Sequence, residues 1–599
     1  MTDKNRYTQR AGRGLALAVS MAALLAAMPA GAQQGSSPAP STSSLLEEMV
    51  ATGVVTQAQA DKILKGAQAR DAAKAATVAQ TGQGTPPAQP AVRVQYVPQI
   101  VKDEIKAELK KEVMAKAEAE GWAAPGETPE WSKRIKISGD VRGRFESSSF
   151  PSGNAVGSFD QVNFSALNAR STPFDAKQGH LHNFRTGGAA GTNALSFNNW
   201  DEDRTRERIR ARVGLEADIG EGFTTGVRLA TGDSSSPVST NQTLGGSGGN
   251  FSKYQVWLDR AFIAYAPELP KQWGLNVTAG RFDNPFFGTD LVWDGDLGFD
   301  GLAAKGRYEA AKGVTPFVTA GAFPIYNTDF NFSSYSEEKG GSQDRWLYGV
   351  QAGTDWKATP DTSVKLAAAY YLFDNIGGKR KDCNYADITC GSDVFRPTFA
   401  QKGNSYMGLR NNLGSSTTPD ADPNYQYFGL ASGFRELALT GRVDYDGLKP
   451  LFPDQALRVS FDGEFVKNLA FDKQKVAAKS VIPGVAAGNN GLNNRRNDVF
   501  EGGDTGYLAR VTVGTPKLAK RWDWSASLAY KYVESDAVVD AFTDSDFGMG
   551  GTNLKGFILG GKLALAKNVW AGAHWMSADS ISGGSYSNDL FLLDLNARF

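Results

Sequence analysis

From Lys133 onward the sequence carries successive segments in which apolar and polar side chains alternate with a period of two. In 133–147, Ile135, Ile137, Val141 and Phe145 share one parity, and Lys136, Ser138, Asp140, Arg142 and Arg144 share the other. In 206–219, Ile209, Ala211, Val213, Leu215, Ala217 and Ile219 oppose Arg208, Arg210, Arg212, Glu216 and Asp218. Trp346, Tyr348, Val350, Ala352 and Trp356 oppose Gln351 and Asp355; Leu457, Val459, Phe461 and Phe465 oppose Arg458, Ser460, Asp462 and Glu464. Trp522, Trp524, Ala526, Leu528, Tyr530 and Tyr532 likewise oppose Asp523, Ser525, Ser527 and Lys531. Successive side chains of a strand point to opposite faces, so each segment makes a ribbon with one greasy and one wet surface.

A half-buried soluble sandwich would alternate too. Strand length argues for lipid instead: a tilted strand needs about 9–11 residues to cross hydrocarbon, whereas soluble strands are about five or six long. The pattern predicts sixteen strands, near 133–147, 204–219, 222–232, 252–266, 273–283, 301–310, 314–323, 345–357, 362–374, 434–446, 455–467, 505–514, 522–534, 554–566, 568–578 and 587–599. The gaps are expected to alternate strictly between long (148–203, 375–433, 468–504) and short (Gly220-Glu221, the turn at Lys567). That asymmetry belongs to an outer-membrane barrel with short periplasmic turns and long external loops. Trp273, Trp356, Trp522, Tyr532 and Trp570 lie near strand ends, where aromatic girdles meet the lipid interface. The expected fold is therefore an all-β transmembrane, antiparallel up-and-down barrel of 16 strands over 132–599.

The N-terminus reads as an export signal over 1–32. Lys4, Arg6, Arg10 and Arg13 form the basic region, Leu15 to Ala27 the apolar one, and Ala30-Gly31-Ala32 the cleavage pattern before Gln33. The apolar run is too short for a membrane anchor, and no later stretch offers eighteen apolar residues in a row, so any spanning is by strands. Residues 33–131 read as linker and helix in the periplasm. Stretches 33–43 and 80–91 are rich in Gln, Ser, Pro, Ala and Gly. Ser44 and Glu47 form a capping box for a helix over 44–79 with Leu45, Met49 and Ile63 apolar. In a second helix, Val97, Val101, Ile105, Leu109 and Val113 fall four apart, a stripe suited either to a short coiled coil or to packing on the barrel mouth. Cys383 and Cys390 share a polar stretch of an exported chain, which favours a disulfide; a metal pair would lack neighbouring ligands.

In the final strand Phe591, Leu593, Leu595, Ala597 and Phe599 alternate with Leu592, Asp594, Asn596 and Arg598. It resembles the terminal signal by which outer-membrane barrels are handed to the barrel-insertion machinery. Further motifs are Val92-Arg93-Val94-Gln95-Tyr96-Val97-Pro98, Gly121-Trp122, Pro129-Glu130-Trp131 and Ile137-Ser138-Gly139-Asp140-Val141-Arg142. Others are Leu258-Asp259-Arg260-Ala261, Gly280-Arg281-Phe282 and Asn284-Pro285-Phe286. On these the chain resembles the putative-porin family of Gram-negative outer membranes. The resemblance implies a barrel pore in outer-membrane lipid and names no solute. Resemblance to sixteen-stranded porins further implies a homotrimer and a third external loop that folds inward to narrow the channel.

That loop is 284–300. Its apolar residues need burial and its acids need water or cations, demands that a loop lying on the inner wall meets together. With Arg142, Arg144, Arg208, Arg210 and Arg212 on the inward parity, the expectation is a constriction in which Asp290, Asp294 and Asp296 face an arginine ladder. Opposed charges would order water and set ion preference. The competing reading pairs the arginines with Glu216, Asp218 and nearby acids, so that they only stiffen the wall.

The leading function is passive diffusion of small hydrophilic solutes and ions. The alternatives are a porin selective for phosphate-like or other anions, and a structural or adhesive barrel with a plugged lumen. Zero net charge gives no support for a nucleic-acid partner. No cofactor is expected. Asp294-Gly295-Asp296-Leu297-Gly298-Phe299-Asp300 spaces its acids as calcium loops do but lacks the terminal Glu and flanking helices, and Asp544 and Asp546 are expected simply in an external loop. Of the three histidines, His180 and His182 share one loop without further ligands. His574 lies near Ser577 and Ser580, and sequence proximity makes no catalytic triad. An enzyme is not expected.

Overall fold

A computed structural model describes residues 130–599 apart from 177–194, 233–235, 247–248, 335, 386, 388, 414–421, 449–455 and 486–489. The export signal, both N-terminal helices and His180 and His182 lie outside the described residues.

Sixteen long strands follow one another along the chain. They are β1 Ile135–Ser149, β2 Arg204–Gly220, β3 Phe223–Thr231, β4 Val256–Tyr265, β5 Trp273–Phe282, β6 Phe299–Tyr308, β7 Val314–Tyr326 and β8 Arg345–Lys357. The second half comprises β9 Thr362–Asp374, β10 Phe434–Tyr445, β11 Arg458–Asn468, β12 Thr505–Gly514, β13 Trp524–Val533, β14 Leu554–Ala566, β15 Val569–Ser580 and β16 Ser587–Arg598. Each pairs antiparallel with its neighbours in sequence, and β16 returns to β1 through the register Asp140↔Arg598 to Ser149↔Asp589. The sheet is thereby closed. A further two-residue strand, Gln242–Thr243, pairs with β2 where that strand outruns β3.

Strands of 9 to 17 residues are long enough to cross hydrocarbon with a tilt. The greasy parity faces outward: Ile137 is 68% exposed, Val213 51% and Leu595 53%. The opposite parity is withdrawn into the lumen, where Arg144, Glu146, Gln351, Lys531 and Asp594 are buried. No helix among the described residues is long and apolar enough to span a membrane.

The loops at one end, L1 (150–203), L2 (232–255), L3 (283–298), L4 (327–344), L5 (375–433), L6 (469–504) and L7 (534–553), are long. The eighth, L8 (581–586), is as short as the turns at the opposite end, so the alternation of gap lengths has one exception. Trp273, Trp356 and Trp522 are exposed near strand ends, whereas Trp570 points into the lumen, opposite Asn596 of β16. Trp570 shares its parity on β15 with His574 and Met576, which line the same cavity.

The long loops fold onto each other as a cap. Phe164 of L1 stacks on Tyr406 of L5 with centroids 4.1 Å apart. Asn168 exchanges hydrogen bonds of 2.8 and 3.0 Å with the Phe428 backbone. Lys402 Nζ donates to the carbonyls of Gly548 and Gly550 in L7, at 2.6 and 2.9 Å. Asp160 of L1 accepts backbone N–H groups of Asn494 in L6 and Gly584 in L8. Cys383 and Cys390 are joined as a disulfide within L5, their Cα atoms 6.1 Å apart.

Candidate functional site

L3 leaves β5 and runs along the inside of the barrel. The Gln351 amide of β8 brackets Phe287: Phe287 N–H donates to Oε1 at 2.8 Å, and Nε2 donates to the Phe287 carbonyl at 2.7 Å. Thr289 donates from N–H and Oγ to Glu464 Oε2 of β11, at 2.8 and 2.7 Å. Lys531 Nζ of β13 donates to the Asp290 carbonyl at 3.1 Å. The loop then turns back, and Arg260 Nη2 of β4 donates to the Leu297 carbonyl at 2.8 Å. Between these anchors, Leu291, Val292 and Trp293 are buried. Trp293 lies edge-on to Tyr371 and Phe299, each 5.1 Å away. Apolar burial and backbone hydrogen bonds therefore hold the loop inside the lumen.

The acids of L3 separate into three environments. Asp296 stands 3.6 Å from Arg212 and 3.7 Å from Arg210 of β2, and accepts from Thr240 N–H and Oγ of L2, both at 3.2 Å. Asp290 pairs with Arg510 of β12, whose other arm lies 3.7 Å from Asp462. Asp294 lines the same cavity but makes no ion pair with an arginine among the described residues. It accepts from Ser545 N–H at 3.0 Å and Asp296 N–H at 2.8 Å, and burial, then the charges of Asp296 and Asp544, push its carboxyl up to about 8. L3 thus brings two of the three expected acids to arginines and packs the third against L7.

The arginine ladder has partners other than Glu216 and Asp218. Arg210 and Arg212 share Asp140 of β1, each at 2.8 Å. Arg206 and Arg208 share Glu146. Arg144 is held between Asp594 of β16 at 2.7 Å and Asp546 of L7 at 2.9 Å. Burial opposes the charge on Asp546, yet Arg144 keeps its carboxyl below the usual range. Arg142 donates to the Asn241 amide and has no ion pair with a described residue; its Nε is buried without an acceptor.

These groups enclose a cavity of about 540 Å3 between L3, L7 and the wall formed by β12–β16, β1 and β2. The loop side supplies Asp290, Asp294, Asp296, Asp544 and Asp546. The wall supplies Arg142, Arg144, Arg210, Arg510 and Lys562, with Asp594 among them. Acid faces base across the free space. Lumen residues absent from the sequence-derived set are Asp140, Asp594, Arg510, Lys531 and Lys562, all of which share inward parity; Asp544 and Asp546 belong to an external loop, as expected, but that loop dips inward.

Among the described residues, no His, Cys, Asp and Glu group of three or more is arranged to hold a metal. Asp300 pairs with Arg281 at 2.6 Å, apart from Asp294. His574 faces the lumen cavity, and Ser577, three residues along the same strand, faces the other side.

A closed sixteen-stranded barrel, apolar outside and narrowed inside by a charged loop, defines an outer-membrane channel protein of the porin type. The chain belongs to the family described as "Putative porin", whose model matches residues 39–599. It is accordingly a protein of the Gram-negative outer membrane, in a family of channel proteins and not of enzymes. No curated protein matches it. Solved structures similar to it include the outer membrane channel DcaP of Acinetobacter baumannii (10% identity, 78% of this chain and 97% of that chain, TM-score 0.34). Others are Pseudomonas putida OprB (10%, 78% and 95%, 0.38) and Salmonella typhi OmpF (10%, 78% and 97%, 0.33). The assignment rests on the family match and on the closed strand ladder.

Proposed function

We propose that the protein is a water-filled pore through which small hydrophilic solutes and ions diffuse passively, with its constriction at L3. The observation that carries this reading is the cavity of about 540 Å3 with carboxylates on the loop side and guanidiniums on the wall. Fixed opposite charges across a narrow passage orient water and dipolar solutes, and their balance sets ion preference. Arg142, Arg144, Arg210, Arg212, Asp290 and Asp296 line or face the passage. Arg208, tied to Glu146, acts on it only through its field, and Asp294 acts by docking L3 on L7. Export by the signal over 1–32, insertion through the final strand (Phe591, Leu593, Leu595, Phe599) and assembly as a homotrimer complete the reading.

Swelling of liposomes carrying the refolded protein tests it. Sugars of increasing size should enter at decreasing rates with a cut-off. Absence of swelling with the smallest sugar contradicts a diffusion pore.

A second reading is a surface barrel with an occluded lumen. The observation favouring it is the packed cap, in which Phe164, Tyr406, Phe428 and Phe547 are buried. Swelling separates the two.

A further inference from the structure

A second chamber, of about 230 Å3, lies against Trp293, Leu297 and Gly298 of L3 and shares no lining residue with the charged cavity. Trp293, Phe299, Phe323, Phe399 and Phe542 give it aromatic walls, and Arg345, the first residue of β8, also lines it.

Arg345 differs from every comparable arginine. Four arginines are buried among the described residues: Arg144, Arg260, Arg345 and Arg410. Arg144 has Asp546 and Asp594, Arg260 has Asp259 and Asp283, and Arg410 has Asp393. Arg345, only 3% exposed, has no carboxylate partner among the described residues. Its Nη atoms donate to the carbonyls of Val394 and Arg396, its guanidinium lies 5.0 Å from the Tyr326 ring, and its Nε–H is buried with no acceptor among the described residues. The other charged groups at the chamber are already engaged. Arg281 pairs with Asp300 at 2.6 Å, and Asp540 accepts the Tyr406 hydroxyl at 3.1 Å. A buried cation without a counter-charge is costly, and a donor without an acceptor adds to the cost. Both costs are removed by one anionic ligand.

We propose that this chamber binds a small aromatic carboxylate, its ring among the aromatic walls and its carboxylate on Arg345. Size agrees: pockets for drug-sized ligands run to roughly 300–1,000 Å3, and about 230 Å3 suits a single substituted ring. The walls already display edge-to-face geometry, Phe299 meeting Trp293 and Phe323 at 5.1 Å each, and an added ring extends that cluster. A neutral analogue of the same shape leaves the guanidinium uncompensated and binds less well. The proposal is independent of conduction, because binding is read at equilibrium on protein in detergent.

The test is calorimetric titration of the refolded full chain with benzoate and with benzamide. Benzoate should bind at one saturable site, and benzamide roughly tenfold more weakly or worse, the equivalent of one lost charged hydrogen bond. Arg345→Met should abolish that preference. Arg345 also fastens L5, so a second variant, Thr398→Trp, places an indole in the chamber while keeping the cation; it should weaken benzoate binding by roughly tenfold or more. Equal affinity for benzoate and benzamide overturns the proposal. So does absence of benzoate binding, or unchanged affinity in a Thr398→Trp barrel that keeps its heat-modifiable migration.

Discussion

Arg144 of β1 and Asp546 of L7, 402 residues apart in the chain, meet at 2.9 Å inside the lumen. The contact draws an external loop down to the level of L3, where Asp294 accepts the Ser545 N–H. L3 and L7 therefore form one inward shelf, which carries Asp290, Asp294, Asp296, Asp544 and Asp546, five of the six acids that line the charged cavity.

Asp546→Asn removes a shelf charge and weakens the L7 tie, while Arg144 keeps Asp594. The reversal potential in a salt gradient should move toward anion selectivity, with noisier open-channel current. An unmoved reversal potential places Asp546 outside the filter.

Arg210→Ser should move selectivity the other way. Arg210 balances Asp140 and Asp296, and its loss leaves both carboxylates less compensated, favouring cations. Arg208→Ser should have a smaller effect, because Glu146 remains paired with Arg206. The pair of reversal potentials ranks the two arginines.

Asp294 supplies a pH dependence. Its ordinary value of 3.8 is raised to about 8 in the fold, so the folded protein holds a proton there that the unfolded chain has already released. The stability contributed by the neutral carboxyl is full below 3.8 and is lost as pH rises through about 8. Above that, a new charge beside Asp296 and Asp544 loosens the shelf and adds cation preference. Cation selectivity should rise between about pH 7 and 9, a window centred on that shifted value, and Asp294→Asn should flatten the rise.

The lipid face gives a stability prediction. Val213 is outward in the middle of β2, and Val213→Arg should cost about 2–4 kcal/mol, as cations do at the bilayer midplane. At the seam, Gly139 and Phe599 exchange backbone hydrogen bonds of 3.0 Å, and a Cβ on Gly139 would lie 2.6 Å from the Arg212 carbonyl and against the Phe599 ring. Gly139→Val should therefore also lower the temperature at which the folded band disappears on a gel. Leu439→Ile, also lipid-facing, should leave that temperature unchanged.

The strands were legible because parity and length are local: Val213 and Arg210 declare opposite faces without knowledge of their neighbours. L3 was legible for a similar reason, since its Leu291, Val292 and Trp293 demand burial beside acids. What parity cannot supply is which strands meet across the barrel. The pairing of Arg144 with Asp594 depends on closure between β1 and β16, and that of Asp290 with Arg510 on where L3 touches the far wall. The descent of Asp546 into the lumen depends on the packing of L7 under Lys402 and Tyr586, which no periodicity encodes. Among the described residues, Arg345 stands out only once the other buried arginines, Arg144, Arg260 and Arg410, have their carboxylates.

Single-channel recording in a planar bilayer tests the pore most directly. The refolded wild-type protein should give discrete, ohmic conductance steps, larger when Glu464→Ala frees Thr289 and the start of L3 from the wall. A heat-modifiable, membrane-inserted barrel that passes no current would contradict the account.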